Sequence, residues 1–242
     1  RSLKPGEIFV ALSGENFDGH NFVTQAIAQG AIAIIVDRQM ELASDVPQFI
    51  VQDTLKAYQK IAQWWRDRQE IPIIGITGSV GKTSTKELVA AVLKTQGKVL
   101  KTEANFNNEI GVPKTLLQIT SDHSYGAIEM AMRAEGEIAL LTDIARPTIG
   151  IITNVGTAHI GRLGSREAIA RAKCELLAQM PQSSVAILNY DDPLLMTTAA
   201  QVWQGETITY GLTGGDIQGE IINGDHLKVW EHKLPLPLPG IH

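Results

Sequence analysis

Seven consecutive residues, Gly78-Ser79-Val80-Gly81-Lys82-Thr83-Ser84, have the types and spacing needed to hold a polyphosphate. Gly78 and Gly81 let successive backbone N–H groups turn toward an anion, and a helix starting just after them points its positive dipole end at the same place. Lys82 supplies a point charge for the outer phosphates, and the Thr83 hydroxyl a ligand for Mg²⁺. The strict phosphate-loop pattern asks for glycine where Ile76 stands, with Gly75 one place too early, so the stretch is a variant of that pattern. The other reading is a glycine-rich turn ahead of an ordinary helix.

Three residues farther along could join this chemistry. Glu129 ends an apolar run expected to lie beside the phosphate loop, where a carboxylate either holds Mg²⁺ together with Thr83 or is simply solvated. His159 stands five residues after Asn154 in the glycine-rich segment Asn154-Val155-Gly156-Thr157-Ala158-His159, as a ligand or as a surface histidine. Lys173 is the most informative. On a helix from Ser165 to Met180, at about 100° per residue, it falls in the middle of the stripe Ile169, Ala172, Leu176, Met180. A lysine there either buries its stem and snorkels, or loses hydration and presents a free, nucleophilic amine that can add CO₂ to give an anionic carbamate. Cys174 falls off the stripe and reads as structural.

The elements that must position these residues follow from the pattern. Glu7–Leu12, Ala31–Val36 and Phe49–Val51 read as strands, with the turn-rich loop Ser13–His20 after the first, a helix through Phe22, Ala26 and Ile27, and a second helix capped by Asp53 and Thr54 that runs to about Arg68. Arg68-Gln69-Glu70 ahead of Pro72 is the expected linker, dividing the chain into 1–70 and 71–242. After the loop a helix from Thr83 to about Gln96 is expected to bury Leu88, Ala91, Val92 and Thr95. Strand-like runs at Tyr125–Met130, Thr148–Thr153 and Val185–Leu188, separated by helical stretches, predict a largely parallel sheet with ligands at its carboxyl ends. From Thr207 the character changes, and Ile217–Ile222, Asn223-Gly224-Asp225 and Leu227–Trp230 read as a hairpin. The fold class is α/β: a small N-terminal α/β domain, then a P-loop-type domain on a mostly parallel sheet.

Composition narrows the function. A net charge of −5 and a pI near 5.7, with no Lys/Arg run, disfavour nucleic acid or an anionic membrane surface as the main partner. One cysteine allows no intrachain disulfide, which fits the cytoplasm, and no apolar run is long enough for a membrane span.

Taken together, several motifs resemble those of the Mur ligases: Thr77-Gly78-Ser79-Val80-Gly81-Lys82-Thr83-Ser84; Asn107-Asn108-Glu109-Ile110-Gly111-Val112-Pro113; Glu129-Met130-Ala131-Met132 with Gly136-Glu137-Ile138; Asn154 to His159; and Ala172-Lys173-Cys174-Glu175. Leu3–Leu12 and Gly14–His20 resemble the family's UDP-substrate domain. Within the family the match is closest to the member that adds D-alanyl-D-alanine to UDP-N-acetylmuramoyl-tripeptide.

The resemblance implies an ATP-dependent amide ligase of peptidoglycan precursor synthesis working through an acyl phosphate. By position it assigns Gly78, Ser79, Val80, Gly81, Lys82, Thr83, Ser84, Asn107 and Asn108 to nucleotide binding, and Glu15, Asn16 and Phe17 to the UDP substrate. It gives Lys82, His159 and a carbamylated Lys173 catalytic roles, and makes Thr83, Glu129, His159 and Lys173 supports for Mg²⁺. Arg133-Ala134-Glu135 stands where the family pattern leads us to expect an asparagine and a proline. The family also has a third, C-terminal domain, whereas this sequence starts at Arg1 and stops at Pro239-Gly240-Ile241-His242, so it reads as a fragment of the first two domains. Three alternatives remain at this point: a family member adding a different amino acid, a P-loop kinase or nucleotide hydrolase, and a module that binds nucleotide or UDP-sugar without turnover.

Overall fold

The computed structural model describes residues 3–14 and 16–236, so Glu15 and the closing Pro239–His242 lie outside the described residues. The chain packs as two units that divide between Ala62 and Gln63.

In the first unit, β1 (Ile8–Val10) leads through a tight hairpin of β2 (Ser13–Gly14) and β3 (Phe17–Asp18) and a 3₁₀ turn to α1 (Val23–Ala28). There follow β4 (Ala33–Val36), β5 (Gln48–Ile50) and α2 (Thr54–Arg66), within which the division falls. Strands β1, β4 and β5 form a parallel sheet with β4 in the middle, and all four residues of that apolar strand are buried. Ala11, Val23, Ile34 and Val36 form the core, with Phe9 and Ile27 packed against it. At the start of α2 the Asp53 carboxylate accepts the Lys56 N–H at 2.9 Å, the cap that the sequence announces. The expected linker Arg68-Gln69-Glu70 follows the end of this helix, inside the second unit.

The second unit begins on β6 (Ile73–Thr77), α3 (Lys82–Leu93), β7 (Lys98–Lys101), α4 (Gly111–Leu116), β8 (His123–Glu129), α5 (Glu137–Ala145) and β9 (Ile149–Ile152). It continues with α6 (Ile160–Leu163), α7 (Arg166–Gln179), β10 (Val185–Asn189), α8 (Pro193–Val202), β11 (Glu206–Gly211), β12 (Ile217–Ile222), β13 (His226–Val229) and β14 (His232–Pro235). Among the described residues these strands make one sheet in the order β7-β8-β6-β9-β10-β11-β12-β13-β14. It is parallel from β7 to β12 and antiparallel beyond. From β6 the chain moves outward to β7, returns to β8, then crosses to β9 on the other side. The carboxyl end of β6 is therefore a topological switch point, where open α/β sheets bind ligands. The expected hairpin is present: Ile222 pairs with His226 across the three-residue turn Asn223-Gly224-Asp225, in which Asn223 (φ +56) and Gly224 (φ +75) are both left-handed. Beyond it β14 extends the sheet by one more antiparallel strand.

The face of α3 differs from expectation. Leu88 and Val92 are each 68% exposed, and Ala91 and Thr95 also face solvent. The buried side consists of Lys86 and Ala90, with Val89 and Leu93 on the Ile74–Ile76–Ile151 cluster. Counting lysine as polar hides this stripe, because one of its members is a buried amine.

Helix α7 meets the expectation made for it: Ile169, Ala172, Leu176, Met180 and Lys173 are all buried. It presses against the sheet at Gly150, where a Cβ would come within 2.5 Å of Met180 Sδ. Its N-terminus is capped by Ser165, whose hydroxyl accepts the Ala168 N–H at 3.1 Å. Ser165→Ala should lower the unfolding free energy by about 1 kcal/mol, read from the shift of the urea midpoint at unchanged m-value.

Candidate active site

The phosphate-loop sequence folds as a strand, a turn and a helix. Gly78 has φ +152 and lies so close to Thr153 that a Cβ would stand 1.8 Å from its hydroxyl oxygen, so only glycine fits. Gly81 takes the left-handed conformation (φ +83) as N-cap of α3 and offers no side-chain cap, while the first turn holds no acidic residue. The first amides of the helix are thus available to an anion.

The loop is fastened to the strand beside it. Ser79 N–H donates to Asn154 O at 3.1 Å, Val80 N–H to Asn154 Oδ1 at 3.1 Å, and Gly156 N–H to Ser79 Oγ at 2.8 Å. The Thr153 hydroxyl donates to Val80 O at 2.7 Å. Ser79 and Val80 therefore spend their amides on shaping the loop. The Lys82 ammonium folds back over the loop, donating to Gly78 O at 2.9 Å. Burial lowers its pKa, opposed by the negative charge of Glu129. Thr77, at the root of the loop, has a buried hydroxyl with no hydrogen-bond partner among the described residues.

Glu129 ends β8 in register with Ile76 and is only 3% exposed, which rules out the solvated reading. Thr83 Oγ1 donates to one carboxylate oxygen at 2.9 Å and Asn107 Nδ2 to the other at 2.8 Å. A hydroxyl and one buried carboxylate facing a phosphate loop are the donors that Mg²⁺ uses when it is shared with nucleotide phosphates. Asn108 does something else: its Oδ1 accepts the Gly111 N–H at 2.9 Å at the start of α4.

Lys173 is 2% exposed and makes no hydrogen bond or ion pair with the described residues. Burial, with the positive charge of Lys82 added, brings its pKa down to about 7, so at neutral pH much of it is free amine. His159 is an exposed residue with φ +69 at the N-terminus of α6. Its pKa is lowered by desolvation and by the positive charges of Lys173, Lys82 and Arg162. The fold thus brings Lys82, Glu129, His159 and Lys173 into one electrostatic neighbourhood. Cys174 is buried and its thiol is pushed up to about 12, the behaviour of a structural cysteine. The connection from β8 to α5 and the short α6 line an open surface pocket of about 680 Å³, formed by Arg133, Ala134, Glu135, Glu137, Arg162 and Leu163.

Several positioning residues escaped the sequence reading. Asp192 accepts the Val155 N–H at 2.6 Å and so holds the loop leading to His159. Glu175, two residues past Lys173, accepts the N–H groups of Gly136 (2.7 Å) and Ala139 (3.0 Å) and so caps α5 from α7. Lys86 lies buried on α3. The local signals were there, an Asp-Pro helix start at 192 and an acid in the Ala-Lys-Cys-Glu run, but neither names its distant partner.

In the first unit, Asn16 forms the turn of the β2–β3 hairpin and Phe17 stacks on Phe22, with ring centroids 5.3 Å apart. The hairpin is pinned by Asp18, whose carboxylate accepts from His20 N (2.9 Å), from the His20 ring Nδ1 (2.6 Å) and from Arg38 (2.8 Å). These bonds, the His20 backbone N–H first, hold the Asp18 carboxyl well below the usual carboxylate range. Asp37 faces the other ring nitrogen of His20, with its N–H and its Oδ1 each 3.1 Å away.

Two family models match the chain, the Mur ligase middle domain over residues 76–242 and the catalytic domain of the Mur ligase family over residues 1–80. A UDP-N-acetylmuramoyl-tripeptide–D-alanyl-D-alanine ligase of Synechocystis is 63% identical over all of this chain, which covers 53% of that protein. The ligase of the same name from Bacillus subtilis is 40% identical over all of this chain, which covers 54% of it. The chain spans about half the length of the curated relatives it matches. Among solved structures, MurF from Acinetobacter baumannii superposes with a TM-score of 0.87 at 32% identity, over 98% of this chain and 54% of that one. The MurF ligase from Thermotoga maritima in complex with ADP gives 0.85 at 32% identity, over 96% of this chain and 55% of the other.

The Lys173 amine has a direct signature in stability. Between about pH 7 and the ordinary lysine value of 10.5 the unfolded chain holds a proton at this position that the folded chain has lost, so stability rises with pH across that window. Below about pH 7 both states are protonated and the folded state carries the full cost of the buried ammonium. Lys173→Met should abolish this rise, as measured by urea unfolding at a series of pH values.

Proposed function

Because the chain belongs to the Mur ligase family, we propose that it serves the ATP-dependent joining of D-alanyl-D-alanine to UDP-N-acetylmuramoyl-tripeptide, a cytoplasmic step of peptidoglycan precursor synthesis. The observation that carries this reading is the buried side chain of Lys173, whose amine has no hydrogen-bond partner among the described residues and lies close enough to the phosphate-loop lysine for the two charges to act on each other. A kinase or a nucleotide hydrolase needs the loop and Glu129 but has no use for that amine.

The residues suit the chemistry in order. The first amides of α3 and the Lys82 ammonium grip the outer phosphates of ATP and stabilise charge as the terminal phosphoryl group moves. Thr83 and Glu129 would hold Mg²⁺, which when bound would neutralise phosphate charge. Asn107 keeps the Glu129 carboxylate turned toward Thr83 through its 2.8 Å bond. The carboxylate of the tripeptide attacks the terminal phosphorus, the bond to ADP breaks, and an acyl phosphate forms. The amine of the dipeptide then attacks the acyl carbon, loses a proton and expels phosphate.

Lys173 contributes as a carbamate. Its free amine adds CO₂ with release of a proton, and the former source of repulsion toward Lys82 becomes a negative charge that Lys82 attracts. Together with His159 it would support a second cation. The guanidinium groups of Arg133 and Arg162, in the open surface pocket, suit the carboxylates of a peptide. The Asn16–Phe17 turn, pinned through Asp18, receives the UDP end, with Glu15 assigned there from the sequence alone.

Thermal unfolding of this chain with Mg-ATP and, separately, with UDP-N-acetylmuramoyl-tripeptide tests the reading. Both should raise the midpoint, and Lys82→Ala should lose only the ATP effect. Stabilisation by ATP alone would favour a kinase or a hydrolase. ¹³C-labelled bicarbonate should give a carbamate resonance that disappears in Lys173→Ala.

A further inference from the structure

Lys86 is fully buried on α3, at 2% exposure, and spends its ammonium on a backbone carbonyl: Nζ donates to Thr102 O at 2.8 Å. Its ion-pair partner is the neighbouring, half-exposed Glu87, 3.1 Å away. Removing an ammonium from water is costly, and a methionine would fill the same space without that cost. The position therefore calls for a reason beyond filling volume.

That reason lies in what Thr102 does. It directly follows β7, the edge strand of the sheet, and is 0% exposed. Its N–H donates to Ala127 O on β8, at 3.0 Å. Thr102 lies just past the end of the β7–β8 ladder, and its carbonyl accepts from Lys86 where a ladder bond would otherwise be made. The Thr102 hydroxyl in turn accepts the backbone N–H of Glu129 at 2.9 Å. Lys86 thus reaches the Glu129 backbone through one residue, while Thr83, three positions earlier on the same face of the same helix, bonds the Glu129 carboxylate directly. The helix grips the end of β8 at two heights, by the carboxylate and by the main chain.

We propose that Lys86 is a positioning residue for the divalent cation that accompanies the nucleotide: by locking Thr102 it fixes the main chain of Glu129, and with it the place of the carboxylate relative to Thr83. This inference rests on the nucleotide-binding part of the reading above and extends it to a residue that touches neither phosphate nor metal.

The test is calorimetric binding of ADP to this chain in EDTA and in excess Mg²⁺, for the wild type, Lys86→Met and Thr102→Val. In the wild type Mg²⁺ should tighten ADP binding. Each variant should lose about tenfold or more of that gain, the usual cost of removing a group that orients a metal ligand, with affinity in EDTA preserved to within about twofold. The double variant should lose no more than either single one, since both cut the same chain of contacts. A folded Lys86→Met or Thr102→Val that keeps the full Mg²⁺ gain overturns the proposal, and so does an equal loss with and without metal, which marks a merely structural role. If Lys86→Met does not fold, Thr102→Val decides alone by the same two outcomes. A wild type that binds ADP with no Mg²⁺ gain sinks this proposal while leaving nucleotide binding intact, and a wild type that binds no nucleotide sinks the ligase reading with it.

Discussion

A carboxylate taken out of water must be surrounded by donors or it will not stay charged, and the second unit is arranged to meet that demand at Glu129. The Thr83 hydroxyl comes from the helix after the phosphate loop and the Asn107 amide from the loop after β7, while the Thr102 hydroxyl at the end of that edge strand accepts the Glu129 backbone N–H. These two donors and the main-chain contact belong to different segments, so holding one buried charge in place fixes the loop, α3 and the β7 end relative to one another. The same placement gives a cation two oxygen donors at the mouth of a phosphate cradle. Fold and chemistry share these bonds, and neither can be changed alone.

A second demand acts from the other side of β6. Thr153 and Asn154, at the carboxyl end of β9, take up the polar groups of Ser79 and Val80, and Gly78 must lack a side chain for the two strand ends to come that close. The loop is therefore stiff before any ligand arrives. Lys173 completes the arrangement from α7, where Gly150 lets that helix settle against the sheet. Its amine has no hydrogen-bond partner among the described residues, and burial lowers its pKa.

Local pattern carried most of the architecture. The alternation of apolar runs and helical stretches announced the parallel sheet and Asn223-Gly224-Asp225 announced the hairpin, and both are seen in the structure, whereas the apolar stripe around Lys173 left a snorkelling and a desolvated lysine open and the structure buries the residue. Pattern failed where partners are remote. The helix after the loop was expected to bury Leu88 and Val92, but its position against β6 and β9 buries Lys86, Val89, Ala90 and Leu93 instead, and no rule that scores lysine as polar would select that face. For the same reason the roles of Thr102, Glu175 and Asp192 were invisible, since each depends on a backbone amide many residues away. The phosphate loop was legible because its glycines answer to local geometry. The short strands β7 and β11 were missed because their few residues alternate weakly and become strands only by pairing.

The bonds that shape the phosphate loop join residues 73 to 77 positions apart in sequence, between Ser79 or Val80 and the segment Thr153–Gly156. Strand β6 has no ladder partner until β8 and β9 have been made and brought alongside it. Contacts of such long sequence separation form slowly, because loop-closure entropy is lost before they repay it. During synthesis the nucleotide cradle therefore cannot exist until the chain has emerged well past Gly156. A chain stalled or misfolded before that point presents a glycine-rich segment with no affinity for phosphate, so nucleotide occupancy marks a sheet that has already closed around its central strand.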